Sequence, residues 1–380
     1  MRRPRPALAV VLAALILLPG AARGWSGDVH RIINQGAADN LPPAFEAFSQ
    51  WTADLVALST DADDRKSSTP GESIRHYIDI DAYPSFFTGT FPHDYDAAVA
   101  TYGKSTVDNN GILPWAIEDT YVSLVNAFAA HDWTTAVAKA ADIGHYVGDL
   151  HNPLHDTENY NGQLTNQDGI HSRYESNMTG RHLAELVPAP GTVFYYADAL
   201  ESAFDWIDGQ YPEVAEILAA DLTAKQISGG STRSTAYYDA LWQELGTETQ
   251  TWIRDAALRV AGLWYSAWID AGSPVLPGTV GIEPPVPVAA FMLAPARPNP
   301  FRGSTTIAFE VPEGTSARMA VYSADGRLVR TLVDGFVASG TRTVTWNGTD
   351  ERGMPAAAGL YYIRLDAVGR TARGKALLLD

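Results

Sequence analysis

The chain has 380 residues, 46% of them hydrophobic and 19% charged, which excludes disorder as the default and leaves room for two domains. Its 44 Asp and Glu against 27 Lys and Arg give a formal charge of −17, which weighs against a protein that grips duplex nucleic acid through basic patches. There is no cysteine, so disulfides and thiolate metal sites are both excluded.

Arg2, Arg3 and Arg5 precede an apolar run from Ala7 to Leu18, which Pro19, Gly20 and the small-residue stretch Ala22-Arg23-Gly24 follow. Residues 1–24 therefore read as a signal peptide, because the run falls short of the roughly 20 apolar residues that a membrane span needs. The expectation is a secreted protein, extracellular or attached to the cell surface. Cleavage after Gly24 makes Trp25 the amino terminus and leaves 23 basic residues against 44 acidic ones, about −21. Apolar residues recur at helical spacing from Ile33 to Leu58, interrupted by Pro42-Pro43, which predicts two helices. A polar loop with Asp61, Asp63 and Asp64 then leads to His76 in the segment HYIDID. Two amphipathic helices follow, the first opening at Gly111 and Pro114, the second joined to it at His131-Asp132-Trp133. His93 and His131 have no partner at ligand spacing and read as surface residues.

The stretch from His145 to Glu175 carries the chemistry, with four of the nine histidines. His145 and Asp149 are four apart, and so are His171 and Glu175; on helices each pair projects from one face, one turn apart. Pro153 ends the first helix near His151 and leaves His155 on a turn that can aim it back at the first pair. One such pair alone is ordinarily a solvated helix contact. Two pairs and a turn histidine point to metal, and imidazole with carboxylate is the donor set zinc accepts where one coordination position stays open. Beyond Glu175 the helical pattern continues over residues 193–206, 212–224 and 237–271.

HYVGDLHNPLHDTEN resembles the signature of the bacterial zinc-dependent phospholipases C, and GIHSRYES looks like their second ligand helix; the same superfamily includes the fungal single-strand-specific nucleases. The resemblance covers residues 25–272 and implies an all-α trizinc phosphodiesterase domain. Position by position, it implies one zinc on Asp63 (Asp61 being the second choice), His76, His145 and Asp149, and another on His155, His171 and Glu175. A third would take the free amine and carbonyl of Trp25, His30 and the bridging Asp149. The implied reaction is hydrolysis of a phosphodiester by a zinc-activated hydroxide, with Asp63 and Asp149 as the catalytic carboxylates. HSRYE and the short gap between His155 and His171 favour a phospholipid substrate, and a secreted phosphodiesterase of the phospholipase C type is the leading expectation, with a single-strand nuclease or nucleotidase as the alternative. The five-residue step from Trp25 to His30 favours a single-stranded nucleic acid, for which Tyr77 would stack on a base and Asp79 would hydrogen-bond its edge. His151 is expected at the rim of the site or just behind its ligands, and not as a ligand. The reading from another class is a non-catalytic, surface-attached binding protein with structural zinc.

Composition changes at Ser273: residues 273–293 are a proline-rich linker. Over residues 294–380, alternating runs such as TTIAFEV, RMAVYSA, RTVTW and LYYIRLDA, with glycine and aspartate between them, predict a small antiparallel sandwich. ARPNPF, YSADGRLVRTL, TWNGTDERG and AGLYYIRL resemble the immunoglobulin-like carboxy-terminal modules that act as type IX secretion sorting signals, and the related domain of flagellar hook-capping proteins. The first resemblance implies the secretion machinery as a partner. The expected fold is thus multidomain: an all-α zinc-enzyme domain with a phospholipase C-like helical fold, then an all-β immunoglobulin-like sandwich.

Overall fold

The computed structural model describes residues 25–278 and 291–379, except 295, 312–313, 324–325, 339 and 368–369. The signal-peptide reading of residues 1–24 lies outside the described residues, as does most of the proline-rich stretch. The chain is multidomain, an all-α body followed by a small all-β sandwich, each with its own hydrophobic cluster.

Six long helices frame the body: α1 (Gly27–Asp39), α2 (Leu113–Ala129), α3 (Trp133–Leu150), α4 (Ala199–Gln210), α5 (Glu213–Ile227) and α6 (Thr235–Asp270). Their starts follow from local chemistry. Asp132, Asp198 and Ser234 each accept a backbone N–H of the first turn of α3, α4 and α6, and Pro114 sits in the first turn of α2, where no N–H partner is lost. The helical pattern expected from Val193 begins only at Ala199, because the Asp198 cap sets the start there. No described helix is long and apolar enough to cross a membrane.

The helix that matters most is α3. Every residue from Ala140 to Leu150 is buried, because α1, α2 and α6 all pack against it. Gly144 and Gly148, one turn apart, give it a smooth strip on which α1 lies. A methyl at Gly144 would come within 1.6 Å of Asn34 Oδ1, and one at Gly148 within 3.0 Å of His30 Nδ1. Asn34 in turn donates to the carbonyl of Leu55 at 2.8 Å, tying α1 to the short helix Thr52–Ala57. On another side Trp264 of α6 donates its indole N–H to the Ala140 carbonyl at 2.8 Å. Beyond this contact lies an aromatic cluster of Phe45, Phe48, Phe128, Tyr265 and Trp268.

The sandwich has two sheets, β1 (Met292–Leu293), β2 (Thr305–Val311) and β5 (Gly340–Trp346) in one, and β4 (Leu328–Val337), β3 (Thr315–Ser323), β6 (Gly359–Ala367) and β7 (Arg370–Leu378) in the other. Alternate residues of β2 face Trp346, Phe301 and Ile363 in a core that the alternating pattern anticipated. Met292 and Leu293 had been assigned to the linker. They instead pair with Glu310 and Phe309, an edge strand too short to show an alternation. The sandwich touches the body through Lys375, whose ammonium lies 3.1 Å from Asp208 Oδ1 and over the ring of Phe86.

The Gly144 contact yields a test. Gly144→Ala should cost about 2 kcal/mol, since an overpacked core position must displace a buried neighbour, whereas Gly180→Ala, with nothing within 4 Å of the added methyl, should leave stability unchanged or slightly raised. Urea melts of the two variants check this; equal midpoints would contradict the close packing of α1 on α3.

Candidate metal centre

Five segments supply the site, α3 and the turn after it being one. α3 carries His145 and Asp149 on its buried face and ends at Leu150, and Pro153 starts a single tight turn, Pro153–His155, that returns His155 toward them. α1 brings His30, the turn Ser73–His76 brings His76, and the loop helix Asp61–Arg65 brings Asp63. His171 and Glu175 lie on a segment that runs from Ile170–Ser172 through the wide turn Arg173–Met178, which has π-helical hydrogen bonding. The spacing of four residues had implied an ordinary α-helix here. The pair still meets: His171 Nε2 lies 2.7 Å from a Glu175 oxygen.

The donor atoms gather in three sets, each with all its atoms within 4.8 Å of one another: His30, His145 and Asp149; Asp63, His76 and His145; His155, His171 and Glu175. His76 Nδ1 stands 2.8 Å from Asp149 Oδ2 and 3.0 Å from His145 Nε2. Asp63 Oδ1 is 3.6 Å from that same His145 nitrogen, while Asp61 and Asp64 belong to none of the three sets. His155 Nε2 and His171 Nε2 are 3.1 Å apart. Trp25 is fully buried, its ring 5.3 Å from that of Tyr174, the neighbour of Glu175.

Proton bookkeeping shows that these residues fit a cation. His145 and His155 donate their Nδ1 protons to the carbonyls of Ser59 and His76, at 2.8 and 2.6 Å, so both present bare Nε2 lone pairs to the cluster. Both ring nitrogens of His30, one oxygen each of Asp63 and Asp149, and His171 Nδ1 are buried without a hydrogen-bond partner among the described residues. Each such orphan ordinarily costs about 1–3 kcal/mol. A divalent ion in these sets satisfies the atoms turned inward, His30 Nε2 and the Asp63 and Asp149 oxygens, and leaves His30 Nδ1 and His171 Nδ1; nitrogen with oxygen is a zinc-type donor set.

The titrations point the same way. Burial, and then His145 beside it, pull His30 down to about 4, and burial does the same to His171. Against burial, Asp149 pushes His145 up, and the charges that His145 and His155 carry when protonated hold the Asp149 carboxyl well below its usual range; a cation among them would take the place of those protons. Glu175, buried more than it is compensated, is pushed up to about 8.

Of the residues near the centre, Tyr77 and Asp79 are candidates that the sequence offers, whereas Lys66, Asn152 and Tyr160 carry no such signal. Lys66, 11% exposed, places its ammonium 2.6 Å from Asp63 Oδ1. The Asn152 amide donates to Glu175 at 3.2 Å, and the Tyr160 ring stands edge-on to His171 at 5.7 Å. Tyr77 is half-buried beside His76, its carbonyl so close to Gly111 that a methyl there would sit 2.1 Å from it. Asp79 is pushed up to about 7 by burial and by Asp81 and Glu158.

Two histidine readings need correction. His151 is not at a rim: it is 1% exposed, donates to the Val147 carbonyl and receives the Arg259 guanidinium, which makes it a packing residue at the end of α3. His93 is half-buried, stacked on Phe204 at 4.1 Å and 3.0 Å from Glu201, a partner 108 residues away that no local spacing reveals. His131 is exposed, as expected.

Residues 297–370 match the FlgD Ig-like domain. The sandwich therefore contains a FlgD Ig-like domain, and the sorting-signal half of the carboxy-terminal resemblance falls away, and with it the ground for expecting the secretion machinery as a partner. Nuclease S1 of Aspergillus oryzae is 24% identical over 297 residues, covering 70% of this chain and 97% of that protein. A probable serine protease of Bradyrhizobium tropiciagri is 25% identical over 198 residues, 44% of this chain, but the match spans only about a quarter of that protein (25%). Among solved structures, the alpha toxin of Clostridium absonum gives a TM-score of 0.40 at 12% identity, covering 92% of this chain and 94% of that one. The Clostridium perfringens alpha-toxin gives 0.41 at 12%, with 94% and 97% covered.

The π-helical turn is anchored by Arg173, which lies between His171 and Glu175. Its guanidinium meets Asp221 Oδ1 of α5 at 3.0 Å and donates to the carbonyls of Asp168 and Gln167 at 2.7 and 3.0 Å. Burial would raise Asp221, but hydrogen bonds from Lys225, Tyr237 and Gln167 hold its carboxyl below the ordinary range. Asp221→Asn should therefore destabilise the body by about 3 kcal/mol at pH 7. Because the folded carboxyl titrates below the unfolded one, this stabilisation is present above about pH 4 and is lost as the pH falls further, so the gap between variant and parent should narrow there. Denaturant melts at pH 7 and 3.5 check both; a gap that does not change would assign the cost to something other than the charge.

Proposed function

We propose that residues 25–272 form a zinc-dependent hydrolase of phosphodiesters. The observation that carries this is the convergence of imidazoles and carboxylates in three sets, with inward atoms of His30, Asp63 and Asp149 buried and without a hydrogen-bond partner among the described residues. Asp63, His76, His145 and Asp149 would hold one ion, and His155, His171 and Glu175 a second. The amino-terminal Trp25, His30 and Asp149 would hold a third. Zinc bound there supplies a water acidified to a pKa of about 7 and positive charge against the phosphoryl oxygens.

The chain's own residues do the rest. Asp149, fully buried and ionised, lies against both His30 and His76 and so couples two of the sets. Asp63 is 15% exposed, which lets it orient an attacking water or take its proton. Lys66, held by Asp63 at the edge of the cluster, brings an ammonium toward the negative charge that grows on the phosphoryl group.

Two substrate classes fit this chemistry. The HYVGDLHNPLHDTEN segment speaks for a phospholipid. A single-stranded nucleic acid or nucleotide is the better fit, on two grounds. Tyr160 stands edge-on to His171 and Tyr77 follows His76 in the chain, two aromatic rings on which a base can stack, and Asp79, titrating at about 7, can both donate to and accept from a base edge. The 24% identity to Nuclease S1 also runs through nearly the whole of that protein (97%). The protein is then an exported enzyme whose FlgD-type sandwich is an accessory module.

The test offers mature, zinc-loaded protein single-stranded DNA and phosphatidylcholine vesicles in separate assays. DNA cleavage is expected. Cleavage of the vesicles alone would return the substrate to phospholipid, and cleavage of neither would remove the phosphodiesterase reading. Asp149→Asn should abolish turnover while the metal-free variant keeps the parent's helical circular dichroism; a variant as active as the parent would refute the coupling role of Asp149.

A further inference from the structure

We infer that the outer face of the four-stranded sheet β4-β3-β6-β7 is a second binding surface, on which a single-stranded nucleic acid lies beyond the metal centre. The inference rests on the nucleic-acid reading above. Charge is divided unevenly along the chain: residues 25–290 carry 12 Lys and Arg against 36 Asp and Glu, whereas residues 291–380 carry 11 against 8. The first stretch, at −24, repels a polyanion wherever its metals do not reach. The second, at +3 and with ten arginines, does not.

Strand register sets what this face presents. Side chains alternate between core and exterior, so Arg318 and Tyr322 of β3, Tyr362 and Arg364 of β6, and Arg373 and Lys375 of β7 all point outward. Tyr362 stands between Tyr322 and Lys375 in one row; in the next row Arg364 stands opposite Arg373. Two phenol rings thus lie beside two guanidiniums, the combination of stacking surface and phosphate partner that a strand with unpaired bases takes. Rings bedded in the sheet, rather than protruding apolar side chains, favour bases over a lipid surface. Like charges directly opposite one another weaken a sheet. Arg364 is offset by Asp366 at 2.8 Å, but Arg373 is exposed and has no hydrogen-bond or ion-pair partner among the described residues. An arginine kept there fits an anion that arrives from outside. The face also adjoins the candidate site. At its β7 edge Lys375 lies 3.1 Å from Asp208 and 3.5 Å from the Phe86 carbonyl, and Phe86 belongs to the segment that starts at Tyr77 and Asp79. Asp81 of that segment accepts the Thr157 hydroxyl at 2.6 Å, two residues beyond His155. One loop of the body therefore joins the wall of the metal centre to the edge of this face.

The probe is a phosphorothioate-linked oligothymidylate, which resists cleavage, and its binding to the full-length, zinc-loaded protein is read by fluorescence anisotropy. We expect Arg373→Glu and Tyr362→Ala each to weaken binding by about tenfold, and the parent's affinity to fall steeply as salt rises. Arg352→Glu, the same charge change on the turn between β5 and β6, should leave affinity unchanged; an equal loss there would assign the effect to total charge and overturn the inference. Thermal melts check that the variants fold, and if Tyr362→Ala does not, the exposed Arg318→Glu on β3 decides in its place. Folded variants that bind as the parent does would overturn the inference, and cleavage of single-stranded DNA by them would leave the substrate reading intact. Loss of binding to phosphatidylserine vesicles in the same variants, with oligothymidylate binding unchanged, would also overturn it and assign the face to an anionic lipid surface. A parent that binds the strand through this face and cuts no DNA would uphold the surface and sink the substrate reading.

Discussion

The structure depends on one constraint: the imidazole and carboxylate groups at the heart of the body are buried with too few protons to go around. His145 and His155 have committed their protons to backbone carbonyls, and the nitrogens they turn inward meet other ring nitrogens at about 3 Å. Such an arrangement is repulsive unless positive charge sits among the lone pairs. The fold accepts it because α3, buried on every side, cannot rotate His145 and Asp149 out to water. Burial and geometry are thus one fact seen twice. The packing that makes the core stable is also what strips the donors of solvent.

Around that core, support is arranged in layers that differ in chemistry. On the α1 side it is steric: Gly144 and Gly148 remove side chains so that His30 and Asn34 can approach. On the His76 side it is ionic, through Glu72, Arg65 and Asp142. On the side of His171 and Glu175 it is again ionic, through Arg173 and Asp221, but reached across the wider π-helical turn, which moves Glu175 relative to a regular helix. Each ligand-bearing segment is short or irregular except α1 and α3, and each is braced by a different neighbour. Precision at the centre comes from this convergence rather than from any single rigid element.

Much of this was legible because it obeys short periods. The four-residue spacing of His145 with Asp149, followed by Pro153, sufficed to place a helix, its end and a returning histidine. Alternation placed β2 to β7. Where the sequence misled, the cause was distance or brevity. Asp63 could not be separated from Asp61 and Asp64, since a loop has no period to choose among three neighbours. His93 finds its partner on α4, far along the chain, and Met292 and Leu293 form a strand too short to alternate. The Val193 start failed through an overlooked cap, as Asp198 is a plain helix-start residue. Lys66 carried no signal, for a lysine in a polar loop looks like any other until the fold buries it.

The most direct test is diffraction at the zinc absorption edge from crystals of the exported protein. Anomalous peaks should lie within bonding distance of His145, Asp149 and His76, of His155, His171 and Glu175, and of His30 with the Trp25 terminus. Side chains in these same positions with no anomalous density among them would contradict the account.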